Sequence, residues 1–272
     1  MKLITLVVDR KIVIKRYEPF ADVKNFHLLY IDDILESLIY DNGEINYAID
    51  LRGAAFVPKS GLLLCPFIED LCKSSRVEAV LDIGTGYNCL LARHAVMSGA
   101  KRADAIDIDK AVIEYASKNT SHLSEKIHVS FGNNFSSITD CYDLIISNPA
   151  QMPSASGLDP NHDVSGIDGR ENAEQILKYA VDYLNDGGRL LLLLFGFLGV
   201  NITTTSKKPS LLSLLPSNMV VERIKHYYVD VRENGGVYNS IQTVEALYPN
   251  YKFISVNGKM QNEIYVVQLK KV

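Results

Sequence analysis

From residue 77 to residue 195 the chain alternates apolar segments of strand length with segments of helical length, and this alternation narrows the fold more than any other feature. Residues 77–83, 103–108, 127–131, 142–147 and 189–195 read as strands. Between them, residues 88–97, 109–119 and 171–184 read as helices. The first helix ends at Ser98-Gly99, the second is capped by Asp109, and the third is closed by Asp186-Gly187-Gly188. Strand–helix units in series take right-handed crossovers. The expected fold is therefore α/β, a Rossmann-like, doubly wound, mostly parallel sheet.

The flanks read differently. Residues 3–8 and 11–15 suggest a hairpin turning at Asp9-Arg10. Residues 31–40 carry helical spacing at Ile31, Ile34, Leu35 and Leu38, stopped by Asn42-Gly43. Residues 45–57 read as extended, broken by Gly53, and residues 62–73 as helical. Residues 1–75 are thus expected to form a small N-terminal α+β region, and residues 76–272 one larger domain. Toward the C-terminus, residues 220–231 fit a strand or a helix, and residues 238–247 a helix stopped before Pro249. Residues 253–256 and 264–269 make a C-terminal β-hairpin around Asn257-Gly258.

Composition sets limits on function. With 47% hydrophobic and 22% charged residues in 272, the chain is globular rather than disordered, collagenous or coiled coil. Lys and Arg number 28 against 32 Asp and Glu, a net charge of −4. A basic coat for non-specific nucleic-acid binding is excluded, while a local basic patch stays open. Cys65, Cys72, Cys89 and Cys141 form no C-x-x-C pair, and no histidine pair stands at zinc-finger spacing. Buried free thiols of a reducing compartment, and no metal, are the expectation. Asp9 and Arg10 interrupt the N-terminal apolar run, which argues against a signal peptide. The apolar run 190–200 is shorter than the about 20 residues that cross a bilayer. A soluble, cytoplasmic protein with no membrane partner is expected.

The chemistry concentrates at the strand ends. In VLDIGTGYN (80–88) an apolar strand runs into Asp82, then Gly84-Thr85-Gly86, with Asn88 where a helix opens. Open α/β sheets bind ligands at the carboxyl ends of their strands, and glycines there let backbone approach a ligand closely. A tight turn with no ligand is the alternative, but Asp82 has no obvious role in a mere turn. A dinucleotide fingerprint would place a third glycine at position 89, where this chain has Cys89, so a nicotinamide cofactor is disfavoured. A carboxylate in that place suits a ligand with a positive amino group. Asp107 closes the next strand, where a carboxylate can accept hydrogen bonds from two ribose hydroxyls. Asn133, in FGNNF (131–135), follows the third strand; it can bind an adenine edge or be a plain turn residue.

These three strand ends, in this order, resemble the class I S-adenosylmethionine-dependent methyltransferases over about residues 58–200. The resemblance implies that Asp82 and the Gly84-Thr85-Gly86 loop face the methionine portion of S-adenosyl-L-methionine. It implies that Asp107 holds the ribose hydroxyls and that Asn133 lies by the adenine. Pro58, Asn88, Ile108, Phe135 and Asn148 complete the implied cofactor site. YDLIISNPAQ (142–151) in turn resembles the N-P-P-Y motif of methyltransferases acting on planar amino groups. There the Asn oxygen and the first Pro carbonyl accept hydrogen bonds from the target NH₂. The lone pair of such a nitrogen is delocalised, so two acceptors that aim it at a methyl group act by positioning. Asn148 and Pro149 match and are the implied catalytic pair. Ala150 and Gln151 stand in place of the second Pro and the aromatic, and Gln151 joins Asn148 and Pro149 as a candidate substrate contact. Residues 56–71 and GIDGR (166–170) resemble segments of release-factor glutamine and ribosomal-RNA adenine methyltransferases, and DIGTGYNC is closer to the second group.

The expected function is an N-methyltransferase acting on an amino group of a macromolecule, an RNA base ahead of a protein glutamine. The alternative is a non-catalytic cofactor-binding or scaffold protein on the same fold. Lys207, Lys208, Arg223, Lys225 and His226 form a candidate basic patch for RNA or a solvated face. His162 either lines a substrate entrance or sits in a solvated loop, and His94 and His128 are expected to be packed or at the surface. The N-terminal region is expected to recruit the substrate.

Overall fold

The computed structural model describes residues 10–52, 59–154, 163–205 and 207–272. It begins with four antiparallel strands paired in sequence order: β1 (Ile12–Arg16), β2 (Phe26–Ile31), β3 (Ile34–Asp41) and β4 (Asn46–Asp50). The helix expected over residues 31–40 is therefore a strand. Asp32 and Asp33 both take positive φ, 52° and 65°, and make a two-residue hairpin turn that pairs Ile31 with Ile34. A bulge between Leu29 and Tyr30 lets the apolar residues fall at helix-like intervals within a hairpin. The hairpin expected between residues 3–8 and 11–15 falls partly outside the described residues; β1 pairs with β2.

A 3-10 turn (Ser60–Leu64) leads into α1 (Cys65–Ser74), with Pro66 in its first turn, where a missing N–H does no harm. The alternation then follows as expected: β5 (Ala79–Ile83), α2 (Leu90–Met97), β6 (Arg102–Asp107), α3 (Lys110–Asn119), β7 (Ile127–Phe131) and β8 (Tyr142–Ser147). Asp109 caps α3, its carboxylate accepting from the Ala111 N–H. The third expected helix is shorter than its pattern. α4 (Glu171–Tyr179) passes through a 3-10 turn (Ala180–Tyr183), and β9 (Leu184–Phe195) begins before the glycines. Asn185 to Gly188 form an irregularity within that strand, between the pairs Tyr142–Leu184 and Leu144–Arg189. The ambiguous segment 220–231 is a strand, β10 (Met219–Asp230), followed by α5 (Gly236–Leu247). The C-terminal hairpin, β11 (Ile254–Val256) and β12 (Lys259–Lys271), turns at Asn257 and Gly258, both at positive φ.

The main sheet runs β10-β12-β9-β8-β5-β6-β7, parallel from β9 to β7, with β12 and β10 antiparallel at one edge. The chain winds outward from β5 to β7 and then returns to β8 on the other side of β5. The topological switch point therefore lies between the carboxyl ends of β5 and β8. Alternate residues serve two cores: Val80, Leu144, Ile146, Leu191 and Leu193 face α1 and α2, while Leu81, Ile83, Ile145, Leu190 and Leu192 face α4.

The four-stranded sheet shares the first core, which runs without a break across residue 75. Buried Arg93 of α2 ties the parts together, donating to Ala48 O at 2.7 Å and to Asn119 O at 2.6 Å, the carboxyl end of α3. His94 lies in the same contact. Its Nε2 stands 3.1 Å from Cys65 O and so carries the proton, leaving Nδ1 to accept the Tyr47 hydroxyl at 2.8 Å. Burial pushes the His94 imidazole down to about 4, so it is a neutral core residue. His128 is at the surface.

Candidate cofactor and acceptor site

Asp82 lies near the end of β5 on the face turned toward α2, and its carboxylate is wholly buried. One oxygen accepts the Thr85 hydroxyl at 2.7 Å and the Ala92 N–H at 3.1 Å. The other oxygen has no partner among the described residues, and neither does the buried Oδ1 of Asn88. Burial pushes the Asp82 carboxyl up to about 6. Gly84 and Gly86 take φ of +72° and +66°, and a Cβ added to either would meet nothing within 4 Å. What these glycines supply is a left-handed backbone beside open space. The loop is held from β6: the Gly84 and Thr85 N–H groups donate to Ile106 O, and the Gly86 N–H to an Asp107 oxygen at 3.0 Å. Cys89, at the position a dinucleotide fingerprint gives to glycine, is itself left-handed (φ 44°) and buried. Burial pushes its thiol up to about 12, which makes it a packing group rather than a nucleophile.

Asp107 is half-buried at the end of β6. Its second oxygen accepts the Asp109 N–H at 3.1 Å. The Ile108 N–H also favours the charged form, and a carboxylate's roughly four lone-pair directions exceed these partners. Desolvation raises its carboxyl above the ordinary range. Beside it Ile108 is 58% exposed, an apolar side chain left uncovered at the strand end. Asn133 is exposed in the turn after β7, its N–H donating to Ser136 Oγ. Phe135 differs from the expectation. It stacks on Tyr183 with ring centroids 4.6 Å apart and planes 7° from parallel, so it belongs to the core under the site.

Across the switch point, β8 ends at Ser147, and Asn148 follows half-buried. The Asn148 amide makes no hydrogen bond with the described residues; its Nδ2 stands 3.6 Å from where a Cβ on Gly61 would lie. Pro149 is buried, and its carbonyl accepts a hydrogen bond from Gln151 Nε2 at 3.1 Å. Gln151 is 2% exposed, and its amide is fully engaged with backbone of Pro149, Leu193 and Phe195. The expectation that Gln151 touches the acceptor is corrected accordingly: the side chain points into the sheet. Pro58 and His162 lie outside the described residues.

Sequence reasoning missed the props under this loop. Gly169 (φ +79°) packs so close that a Cβ there would stand 2.4 Å from Gln151 O. Buried Arg170 donates to Leu198 O, Pro209 O and Glu174. Asn172 donates to Ala150 O at 3.4 Å, and Asn134 joins Asn172 to Gln175. Their signal was GIDGR (166–170), a glycine-flanked turn directly before a helix.

The candidate basic patch is largely neutralised. Lys208 pairs with Asp168 at 2.6 Å and with Glu174; Arg223 pairs with Asp70 and lies over the Phe67 ring; Lys225 pairs with Asp22. No helix among the described residues is long and apolar enough to cross a membrane. Nor, among them, is any group of three or more His, Cys, Asp or Glu placed to hold a metal ion.

Comparison with known proteins bears on the family and the fold. Over 203 residues the chain is 27% identical to a ribosomal protein uL3 glutamine methyltransferase of Bradyrhizobium diazoefficiens, covering 70% of this chain and 53% of that one. Over 158 residues it is 32% identical to a release factor glutamine methyltransferase of Gloeobacter violaceus, covering 53% and 55%. The chain thus spans about half the length of the curated relatives it matches. A solved structure of SMU.776 complexed with SAH shares the fold, with a TM-score of 0.53 at 12% identity over 86% of this chain and 56% of that one. A family model, the methyltransferase small domain, matches residues 60–229, more than half of the chain. The chain belongs to the methyltransferase small domain family, and S-adenosylmethionine is the cofactor which that family implies.

Proposed function

We propose that the protein is an S-adenosylmethionine-dependent N-methyltransferase whose acceptor is a side-chain amide of a protein, a glutamine. The cofactor fits the residues present. Among the described residues Asp82 and Asn88 each keep a buried oxygen without a donor, and an ammonium group has hydrogens to offer such oxygens. The space beside Gly84 and Gly86 is open. Asp107 keeps lone-pair capacity for a ribose hydroxyl, and Ile108 offers an apolar surface to an adenine. The carboxylates of Asp82 and Asp107 favour a cationic ligand. When bound, the cofactor supplies an electrophilic methyl group on a sulfonium.

The chain's own part is positioning. Asn148 Oδ1 and the second lone pair of Pro149 O accept the two hydrogens of the acceptor amide. Its nitrogen is thereby aimed across the switch point toward the glycine loop. The methyl group would pass from the sulfonium to that nitrogen, and the extra proton would leave to solvent. The observation that carries this reading is the unengaged Asn148 amide at the switch point, one residue beyond the β5–β8 pairing.

Protein is favoured over RNA for two reasons. Gln151 offers no ring on which a base could stack, and the cations of the expected patch are mostly ion-paired. The relatives' printed substrates, ribosomal protein uL3 and release factors, support the same choice. Residues 1–75 are read as the recruiting part and 76–272 as the transferring part; the Arg93 bond from α2 to Ala48 O of the four-stranded sheet supports contact between them. The four cysteines are free, as suits a cytoplasmic protein. Labelled methyl transfer into protein and RNA fractions of a cell extract tests the proposal: label in protein supports it, label in RNA redirects it, and cofactor binding without transfer to either sinks it.

A further inference from the structure

Pro149 ends the β8–β9 ladder. Its nitrogen carries no hydrogen, and regular pairing stops at Ser147–Leu192. The next groups of β9 that face this neighbour are Leu193 O and Phe195 N. In a parallel ladder, a residue opposite Leu194 would donate its N–H to Leu193 O and accept from the Phe195 N–H. Gln151 does both with its side chain. Nε2 donates to Leu193 O at 3.0 Å, and Oε1 accepts from Phe195 N at 2.9 Å. The second Nε2 hydrogen reaches Pro149 O at 3.1 Å. A buried amide with all its donors matched resists rotation, because each lost bond would leave a buried polar group unpaired.

We propose that Gln151 is a positioning residue: its side-chain amide substitutes for a peptide unit of the ladder past the proline and fixes the direction of the Pro149 carbonyl toward the acceptor nitrogen. The role rests on the methyl-transfer reading above. It follows from what position 151 lacks. With no aromatic ring there to hold a flat acceptor, the grip on it among the described residues falls to Asn148 and Pro149. The aim of the Pro149 carbonyl then sets the geometry, and a misplacement of about 1 Å can lower a rate about 100-fold.

The test uses the full chain and two variants, Gln151→Ala and Gln151→Glu. In Q151A the Phe195 amide should exchange with solvent at least tenfold faster, while the cofactor dissociation constant stays within threefold. With cofactor and a protein acceptor saturating, kcat should fall roughly 30- to 100-fold, and KM for the acceptor much less. In Q151E a protonated carboxyl regains one donor. Its kcat, relative to wild type at each pH, should therefore rise as pH is lowered. An unchanged Phe195 exchange rate in Q151A would overturn the brace. A kcat within twofold of wild type in both folded variants would overturn the positioning role. If the wild type transfers to no acceptor, the methyl-transfer reading fails, and the exchange measurement still decides whether the brace exists.

Discussion

Ser147 donates its hydroxyl to the Ile83 carbonyl at 2.8 Å, so the strand that enters the glycine loop and the strand that enters the Asn148-Pro149 turn finish level with each other. The bond is buried and spans the switch point. It sets the two halves of the site side by side: open backbone at Gly84 and Gly86, and an unengaged amide at Asn148.

Asn148→Ala separates those halves. The glycine loop and Asp107 are untouched, so cofactor affinity measured by calorimetry should stay within about threefold. Methyl transfer should fall by at least about 100-fold, because one of the two groups proposed to orient the acceptor nitrogen is gone. Transfer at the wild-type rate would remove Asn148 from the chemistry.

Asp107→Ala acts on the other half. It removes the acceptor of the Gly86 and Asp109 N–H groups and the lone-pair capacity left for a ligand. Losing charged hydrogen bonds of this kind is worth about 1.5–3 kcal/mol, so cofactor affinity should drop roughly 10- to 100-fold. An unchanged affinity would place the ribose elsewhere.

Asp82 and His94 give the folded state opposing pH dependences. Asp82 titrates near 6 when folded and near its ordinary 3.8 when unfolded. Its contribution to stability is present below about 3.8 and is lost as pH rises through 6, on the order of 3 kcal/mol. His94 titrates near 4 when folded against 6.5 unfolded, so its contribution is present above 6.5 and is lost as pH falls toward 4. Asp82→Asn removes the first effect and leaves the second. The variant should gain relative to wild type by about 2–2.5 kcal/mol between pH 4 and 7, less about 1–2 kcal/mol throughout for the unpaired amide hydrogens. Urea unfolding at both pH values measures this, and calorimetry should show weaker cofactor binding in the same variant. A difference between variant and wild type that is independent of pH would show that Asp82 is ionised at both.

Gly169→Ala tests the prop under the acceptor turn. The added Cβ would stand 2.4 Å from Gln151 O, and the backbone there is left-handed. A loss of about 2–3 kcal/mol in unfolding free energy is expected, together with slower transfer. A variant as stable as wild type would mean the turn yields easily.

The strand ends were legible in the sequence because each is a short apolar run closed by a polar or glycine residue: 127–131 and 142–147 agree with β7 and β8 residue for residue. Asp82, Gly84, Gly86, Asp107 and Asn148 lie at or just past those strand ends, which is where the strand pattern put them. The N-terminal hairpin was not legible, because Asp32-Asp33 is not a usual pair for a turn with two positive φ values, and a bulge upset the alternation. Phe135 and Gln151 were misplaced because a side chain's direction depends on what it packs against: Tyr183 for one, the open end of the β9 ladder for the other. Gly169 and Arg170 act through contacts with segments 18 to 39 residues away, which local pattern does not reveal.

The most direct test is to incubate the full chain with labelled S-adenosylmethionine and a cell extract, then digest the labelled products and locate the methyl group by mass spectrometry. The account predicts a single methyl on the side-chain nitrogen of a protein glutamine, absent when Asn148→Ala replaces the wild type. A methyl found only on RNA, or on a protein atom other than an amide nitrogen, would contradict it.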